Sequence, residues 1–385
     1  MTSLNATVFE RRLKTIRERI RAEAVDAGVW FDATAIEYLV DFPHVVTERP
    51  VVLVVTENAA RLVVPRLERD RAEAIEHVDA VDVYFDYPAE RPMGVLEETL
   101  TAIGASTVAA DADAPPAVMG YEGAPLSSIV SVVEQSWVRK LRREKSPAVR
   151  ELLVESARWA DRVHDRLVSL VRTGASPIVV SERAMTDGTE LLIEELGTAY
   201  DVRTRFRGPV LAGVVSGEWT ARPHAYTTNE PLSAGDPIIT GVVVDVGGYM
   251  AELERTLFVA EASPEQREYF NIVCEAQSKA IDAIEPGVAL EHVDGIARDH
   301  FQTRGVLEYV AHHTGHAIGM EIHEPPYIDR GSDAVVRPGD VYAVEPALYT
   351  GDAGYRHSDT VIVKSDGGRR ITETPRSIEA NVVGE

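Results

Sequence analysis

Histidines are concentrated near the carboxyl end of this chain, where five of the eleven lie between positions 312 and 357. His316 and His323 are seven residues apart, with small and apolar residues between them, so an irregular strand could direct both side chains into one cavity. An imidazole titrates near neutral pH and can bind a metal ion or transfer a proton. The cluster therefore predicts a functional site rather than a set of core histidines.

The elements that must position this site follow a second, earlier group of elements. In the first part of the chain, helical and strand patterns alternate, and short strands rich in valine follow amphipathic helices. The predicted helices are 9–27 and 68–76, and the predicted strands are 28–31, 49–55 and 61–65. This alternation predicts an α/β domain over residues 1–140.

A second domain, residues 141–385, is predicted from a new helix start. Ser146 has the residue type of an N-cap and Pro147 suits the first helical position, so within the stretch 138–171 a long amphipathic helix is predicted to begin at Pro147. Beyond it, the patterns predict strands at 210–215, 238–248 and 341–349, and helices at 264–284 and 290–304. Because the turns between strands are too short for helical crossovers, an α+β domain with much antiparallel sheet is expected.

The composition of the chain indicates which partners and which cellular compartment are expected. The net charge is −23, which repels nucleic acid and anionic membranes, so neither is expected as a partner. Only five basic residues are lysines, a balance typical of proteins from salt-accumulating cells, although an ordinary acidic protein can also have it. Cys274 is the only cysteine, which excludes an internal disulfide and a thiolate cluster. With no signal-peptide pattern and no long apolar run, a cytoplasmic protein is expected.

The chain resembles the pita-bread hydrolases, the family of Xaa-Pro dipeptidase, methionine aminopeptidase and creatinase. Five segments carry this resemblance in order and spacing: ARPHAY (221–226), GDPIITGVVVDVGGYMAELERT (235–256), HHTGHAIGMEIHEPP (312–326), GDVYAVEPALY (339–349) and GYRHSDT (354–360). The first half is similar to the creatinase-type N-terminal domain through AIEYLVDF and ERPVVLVV. The resemblance implies an α+β chain with a creatinase-type α/β domain and a pita-bread domain, whose curved, mainly antiparallel sheet is flanked by helices. It also implies a homodimer.

The resemblance implies a metal-ligand set that is incomplete here. Peptidases of the family bind two divalent ions through two Asp, one His and two Glu. The family's His matches His316 and its first Glu matches Glu345, while Glu252 stands at the second Asp position. Gly241 stands at the first Asp position and Ser358 at the last Glu position. Two of the four acidic ligands are therefore missing.

The missing acidic ligands argue against a dinuclear centre. Asp245 lies four residues beyond Gly241, about 13 Å further along a strand at roughly 3.3 Å per residue, so it is not expected to replace the lost ligand. Glu252 and Glu345 supply two negative charges against the four positive charges of two divalent ions. The remaining possibilities are no metal, or one Mn, Zn or Co ion on Glu252, His316 and Glu345 with water completing the shell.

Metal-free chemistry is the other mechanism that the resemblance implies. Creatinase has this fold without ions, and the histidine that serves as its acid and base matches His224. Its glutamates hold the cationic group of the substrate and match Glu252 and Glu345. Substrates of such a site would be guanidino acids or cyclic amidines such as ectoine.

Further residues receive roles from the same resemblance. His323 matches a family histidine that contacts the substrate or the tetrahedral intermediate, and we also expect catalytic roles for His224, Glu252, His316 and Glu345. Arg49, His312 and Arg356 are expected to bind substrate, Arg49 by reaching the site of a neighbouring subunit. The roles of Glu254 and His313 stay open at this stage.

Two classes of function follow. The leading prediction is hydrolysis of a C–N bond in a small molecule or dipeptide, either Xaa-Pro peptidase-like or creatinase-like. The alternative is a non-catalytic pita-bread domain that binds other proteins. Retention of His224, His316 and His323 favours the enzyme, because a pseudoenzyme would have no use for them.

Overall fold

The computed structural model of the chain describes residues 3–203 and 208–384. The chain forms two compact units, of which the first comprises Leu4–Arg142 and the second begins at Arg143. This division falls at the end of the helix Trp137–Arg143, close to the predicted boundary at residue 140.

The first unit is built on a six-stranded mixed sheet. Its strand order is β4-β3-β2-β1-β5-β6, with β1 parallel to β5 and antiparallel to β2. The strands are β1 Ala27–Trp30, β2 Val52–Val55, β3 Ala60–Pro65, β4 Ala80–Tyr84, β5 Thr107–Ala110 and β6 Ser131–Glu134. The helices are α1 Ala6–Ala22, α2 Ala33–Val40, α3 Arg69–Glu73, α4 Pro92–Ala102 and α5 Trp137–Arg143.

Helical spacing of apolar residues explains how this unit closes its core. Leu13, Ile16 and Ile20 of α1 are all buried, and Leu96 and Leu100 of α4 pack with the valines of the central strands. A buried leucine or isoleucine stabilises a fold by about 1.5–3 kcal/mol relative to leaving it exposed. The α/β alternation read from the sequence is therefore the observed architecture of this unit.

The second unit is built on a nine-stranded sheet. Its order is β11-β10-β12-β15-β9-β8-β7, with β16 beside β15 and β17 beside β9. The strands are β7 Val210–Ser216, β8 Pro237–Val246, β9 Tyr249–Val259, β10 Gly315–Ala317, β11 Glu324–Ile328, β12 Val341–Val344, β13 Ala347–Tyr349, β14 Gly354–Arg356, β15 Ser358–Lys364, β16 Gly367–Arg370 and β17 Val382–Val383. Among these, β13 and β14 form a separate hairpin, and the pairing of β17 with β9 is parallel. The mainly antiparallel sheet confirms the predicted class.

Four helices of this unit flank the sheet. They are α6 Pro147–Leu170, α7 Pro177–Leu196, α8 Pro264–Asp282 and α9 Leu290–Thr303. Ser146 caps α6 as predicted, because its side chain accepts a hydrogen bond from the Val149 amide. The long helix predicted to begin at Pro147 is confirmed by α6, which follows the separate short helix α5 ending at Arg143.

Helix α7 was not predicted from the sequence. Gly188 in its middle lowers helical propensity, yet a Cβ at this position would lie 2.8 Å from the side chain of Val163 in α6. The glycine thus lets α7 approach α6 closely, which only the packed structure makes visible. In the part of the chain described here, no helix combines the length and the apolar character needed to cross a membrane.

Candidate active site

A tight hairpin sets the register of the two strands that carry the acidic side chains. Gly247 and Gly248 connect β8 to β9 with φ angles of 63° and 82°, the left-handed conformation that a two-residue hairpin of this type requires. In the resulting register Gly241 is paired with Glu254 and Val243 with Glu252. Because side chains alternate along a strand, Glu252 and Glu254 point to the same face.

The histidine cluster joins this face through β10 and the end of β12. His316 is fully buried in β10, where its backbone pairs with that of Ala343. Nε2 of His316 lies 3.3 Å from Oε1 of Glu345, which directly follows β12. The other ring nitrogen, Nδ1, lies 3.1 Å from the Ala317 carbonyl oxygen and must donate to it, because a carbonyl only accepts. That bond directs Nε2 toward the carboxylates.

The prediction that one irregular strand carries both His316 and His323 is wrong, although their side chains do lie next to each other. They do not share one irregular strand, because β10 ends at Ala317 and β11 begins at Glu324. His323 therefore lies on the connection of a hairpin that folds back over β10. The rings of His316 and His323 are 4.0 Å apart between centroids. The predicted strand 341–349 is likewise interrupted, at Glu345 and Pro346.

These side chains surround a cavity of about 830 Å³. Its polar lining consists of His224, Glu252, Glu254, His312, His313, His323, Glu345 and Arg356. Apolar residues of β7 and β8 also line the cavity. A cavity of this size with few polar groups converging in it suits a small ligand. The structure thus brings together seven of the eight residues predicted for catalysis or substrate binding. Six of them line the cavity, and the seventh, His316, is buried directly behind it, in contact with Glu345.

Arg49 is the exception. It belongs to the first unit, where its guanidinium binds Asp86 at 2.5 Å and also contacts Glu48. Arg49 is not part of the cavity lining within the described chain. Asp245, which was not expected to reach the site, accepts a hydrogen bond from the Gly248 amide in the hairpin turn.

His316 and Glu345 form a buried ion pair. Burial alone would lower the pKa of His316, but the carboxylates of Glu345 and Glu252 outweigh it and raise the pKa to about 9. Burial in turn raises the pKa of Glu345, whereas the His316 imidazolium lowers it, with a net pKa of about 2. In the absence of any other cation, the pair is charged at neutral pH.

The pKa values of Glu252 and Glu254 are shifted in the opposite direction to that of Glu345. Burial, followed by the Glu345 charge, raises the pKa of Glu252. Burial also raises the pKa of Glu254, to about 8, although Arg356 partly offsets it. Burial beside Glu345 therefore disfavours the charged forms of these two carboxylates unless a cation is close to them.

Arg356 connects Glu254 to the rim of the cavity. Its Nη2 donates to Glu254 Oε1 at 2.7 Å, and its Nε lies 2.6 Å from Oε2. Nη1 donates to the Tyr349 hydroxyl at 3.2 Å, and that hydroxyl lies 3.0 Å from Nε2 of His312. Polar contacts thus run without interruption from Glu254 to His312, which fixes the orientation of Arg356.

The donor atoms match a divalent metal ion better than the sequence predicted. Ligand atoms of Glu252, Glu254 and Glu345 lie within 4.8 Å of one another, and so do those of Glu252, His316 and His323. Ser358 supplies no carboxylate, and its hydroxyl instead hydrogen-bonds Glu252. Carboxylates and imidazoles are the ligands that Mn²⁺ and Zn²⁺ take in proteins, so the residues fit at least one ion.

Sequence reasoning left the contribution of Glu254 open and counted two carboxylates where the structure has three. The signal was present, because Glu252 and Glu254 are two residues apart in a strand and so share a face. What the sequence could not give was the direction of the Glu254 side chain, which could equally have turned to solvent. Tyr349, which links His312 to Arg356, was not singled out at all.

Comparison with known proteins identifies the relatives of both units. Residues 151–365 match the model of metallopeptidase family M24, and residues 12–142 match the creatinase/prolidase N-terminal domain. A probable dipeptidase PepE of Mycobacterium tuberculosis is 31% identical over 385 residues, which covers 97% of each chain. The Xaa-Pro dipeptidase of Pyrococcus furiosus is 33% identical over 166 residues, 43% of this chain and 48% of that protein.

Solved structures show the same architecture. Dipeptidase PepE from Mycobacterium ulcerans superposes with a TM-score of 0.83 at 26% identity, and the match covers all of both chains. An Xaa-Pro dipeptidase from Bacillus anthracis superposes with a TM-score of 0.82 at 24% identity, over 96% of this chain and 99% of the other. The similarity therefore extends across both units.

Proposed function

Because this chain belongs to metallopeptidase family M24, we propose that it hydrolyses the amide bond of short peptides, with Xaa-Pro and other dipeptides as the first substrates to test. The observation that carries the proposal is the convergence of Glu252, Glu345 and His316 in a cavity that His224 and His323 also face. Acids, bases and a metal-ligand set around one small cavity are the groups that amide hydrolysis needs.

One divalent ion on Glu252, His316 and Glu345 fits this proposal. Bound there, such an ion would polarise the scissile carbonyl and lower the pKa of a water molecule. The protein holds the ligand atoms in place through the Ser358 hydroxyl on Glu252 and the Ala317 carbonyl on His316 Nδ1. Neighbours of this kind orient ligands and set their protonation.

The two histidines around the cavity serve different steps. Burial, together with the neighbouring His316, lowers the pKa of His323. We assign a ring N–H of His323 the role of donor to the oxyanion of the tetrahedral intermediate. His224 follows the short turn after β7 and is exposed to the cavity. We assign it the transfer of a proton to the leaving nitrogen.

The carboxylate of a dipeptide requires a cationic or hydrogen-bonding partner. His312 and Arg356 face the cavity and are joined through Tyr349, which supports their proposed substrate-binding role. Arg356 already donates a hydrogen bond to Glu254, so only its remaining N–H groups could bind a substrate. We propose that Arg49 acts from another subunit, as in the homodimer that the family resemblance implies. Sedimentation equilibrium, with Arg49→Ala assayed for KM, tests both ideas.

A metal-free amidinohydrolase is the second candidate. The observation that favours it is that Glu252 accepts a hydrogen bond from Ser358 and Glu345 is ion-paired with His316, both within the protein. Three carboxylates in one cavity would also hold a guanidinium or amidinium substrate. His224 would then transfer the proton to a leaving nitrogen of creatine or ectoine.

One experiment separates the two candidates. The purified protein is treated with a chelator, its metal content is measured, and hydrolysis of Xaa-Pro dipeptides is followed with and without added Mn²⁺ or Co²⁺. Creatine and ectoine are tested on the chelated protein in parallel. Metal-stimulated dipeptide cleavage supports the peptidase. Turnover of creatine or ectoine after complete metal removal supports the amidinohydrolase, and failure on all substrates refutes both.

A further inference from the structure

Glu254 occupies the space that the absence of a side chain at Gly241 leaves open. The two residues are directly paired across β8 and β9, so side chains at both positions would point to the same face. A Cβ placed on Gly241 would lie 3.2 Å from Oε1 of Glu254, closer than an ordinary van der Waals contact. The Glu254 carboxylate therefore extends over the neighbouring strand, where Gly241 leaves it room that a side chain would reduce.

This position brings Glu254 into range of the other carboxylates. Oxygen atoms of Glu252, Glu254 and Glu345 lie within 4.8 Å of one another, and all three residues are buried. Arg356 supplies one positive charge to this group through Glu254, and the His316 imidazolium supplies a second through Glu345. Burying several carboxylates together is strongly unfavourable unless cations balance them. A divalent ion in place of the His316 proton would complete the balance of three carboxylates with Arg356.

An independent sign of a ligand comes from His316. The residue has no solvent-exposed surface, and its Nε2 has no hydrogen-bond partner of acceptable geometry among the described residues. Nδ1 donates to the Ala317 carbonyl, so a metal ion that replaces the proton shared with Glu345 would meet the lone pair of Nε2, which is directed at Glu345. Buried polar atoms are nearly always paired. An imidazole nitrogen that lacks a hydrogen-bond partner and lies beside carboxylates has the arrangement of a metal-ion ligand.

We propose that Glu254 is an oxygen ligand of a divalent cation shared with Glu252, Glu345 and His316, on the side of the site that Gly241 leaves open. The proposal deepens the function given above and rests on its metal ion. Three carboxylates and one imidazole form an oxygen-rich set, which suits Mn²⁺ among the metals considered. Arg356 then orients the Glu254 carboxylate from outside the ion's ligand shell.

The test measures Mn²⁺ binding directly by calorimetry on the chelator-stripped, full-length protein in molar KCl, which screens ions held loosely by the acidic surface. Glu254→Gln keeps the shape of the side chain and removes one ligand charge. We expect it to weaken Mn²⁺ binding by roughly tenfold or more. The matched control is Glu308→Gln, at an exposed glutamate outside the cavity lining, which should bind Mn²⁺ as the parent does.

A second variant excludes an indirect effect of Arg356. Glu254→Gln leaves this arginine without its partner, and the freed positive charge could itself repel a cation. The double variant Glu254→Gln/Arg356→Gln removes both charges. Continued weak Mn²⁺ binding in the double variant supports Glu254 as a ligand. Binding restored to the parental affinity would overturn the proposal, because Glu254 would then only neutralise Arg356.

Other outcomes separate this proposal from the proposed function. Parental Mn²⁺ affinity in Glu254→Gln would refute the ligand role even if the protein hydrolyses dipeptides. No measurable Mn²⁺ binding by the parent protein would refute it as well. Binding that depends on Glu254, in a protein that cleaves no dipeptide, would uphold the ligand role and refute the peptidase assignment. Thermal unfolding of each variant with and without Mn²⁺ shows whether it is folded.

Discussion

The hydroxyl of Ser358 donates a hydrogen bond of 2.7 Å to Oε1 of Glu252, and both residues are buried. The serine lies at the edge of β15, and the glutamate lies in β9, so the bond joins two strands of the central sheet. The neutral hydroxyl favours the ionised form of Glu252, although burial and Glu345 outweigh it in raising the pKa. Ser358 thereby acts on the same carboxylate that we propose as a metal ligand.

Replacing Ser358 with alanine should therefore weaken both the fold and metal binding. The change removes a hydrogen bond to a buried carboxyl group, which we expect to reduce the free energy of unfolding by about 1–3 kcal/mol. It should also weaken Mn²⁺ binding, because Glu252 becomes harder to ionise. Urea denaturation and Mn²⁺ calorimetry measure the two effects. Ser233→Ala, at an exposed serine, is the control, and equal stability of both variants would contradict the prediction.

His224→Ala should lower turnover without affecting the fold. Removing a proton donor typically reduces kcat by about 10²–10⁴-fold. His224 is exposed, so the free energy of unfolding should stay within about 0.5 kcal/mol of the parent. The comparison is His292→Ala, an exposed histidine of α9, which should keep full activity. Undiminished kcat in His224→Ala would remove this residue from the mechanism.

Buried His164 should make the fold sensitive to acid. Burial, with a smaller effect of Arg255, lowers the pKa of His164 from 6.5 to about 3, and its Nε2 lies 3.0 Å from the Thr240 hydroxyl oxygen. Below pH 6.5 the unfolded chain binds a proton here that the folded chain does not, so this stability is present above pH 6.5 and is lost as the pH falls toward 3. One such group contributes a slope of up to about 1.4 kcal/mol per pH unit.

The His164→Gln variant isolates this contribution. Glutamine can still hydrogen-bond Thr240 but cannot titrate, so the stability advantage of the parent over the variant should shrink between pH 6.5 and pH 4.5. Denaturant unfolding at several pH values measures the difference. Parallel pH dependences for parent and variant would show that His164 is not the responsible group.

The acidic surface predicts a dependence on salt. With a net charge of −23, the folded chain repels itself at low ionic strength, and the screening length falls to about 3 Å at 1 M salt. We expect the thermal unfolding midpoint to rise by more than about 5 °C between 0.1 M and 3 M KCl. Stability that is the same at both concentrations would argue against adaptation to a salty interior.

Much of the fold could be predicted because its local patterns agree with its packing. Alternating helices and strands in the first half, and long strand pairs joined by tight turns in the second, gave the two-domain α+β architecture. The glycine-containing α7 was missed. A contact with another element decides this part of the structure, namely the approach of Gly188 to Val163.

The sequence by itself determined the residues of the site: the imidazoles of His224, His316 and His323, the carboxylates of Glu252 and Glu345, and the absence of a side chain at position 241. Only the tertiary structure decided that Glu254 fills this space and that Arg356 turns toward it. The reason is physical. Residue type and strand alternation fix the face on which a side chain lies, whereas its direction across the face depends on neighbours that come from distant parts of the chain.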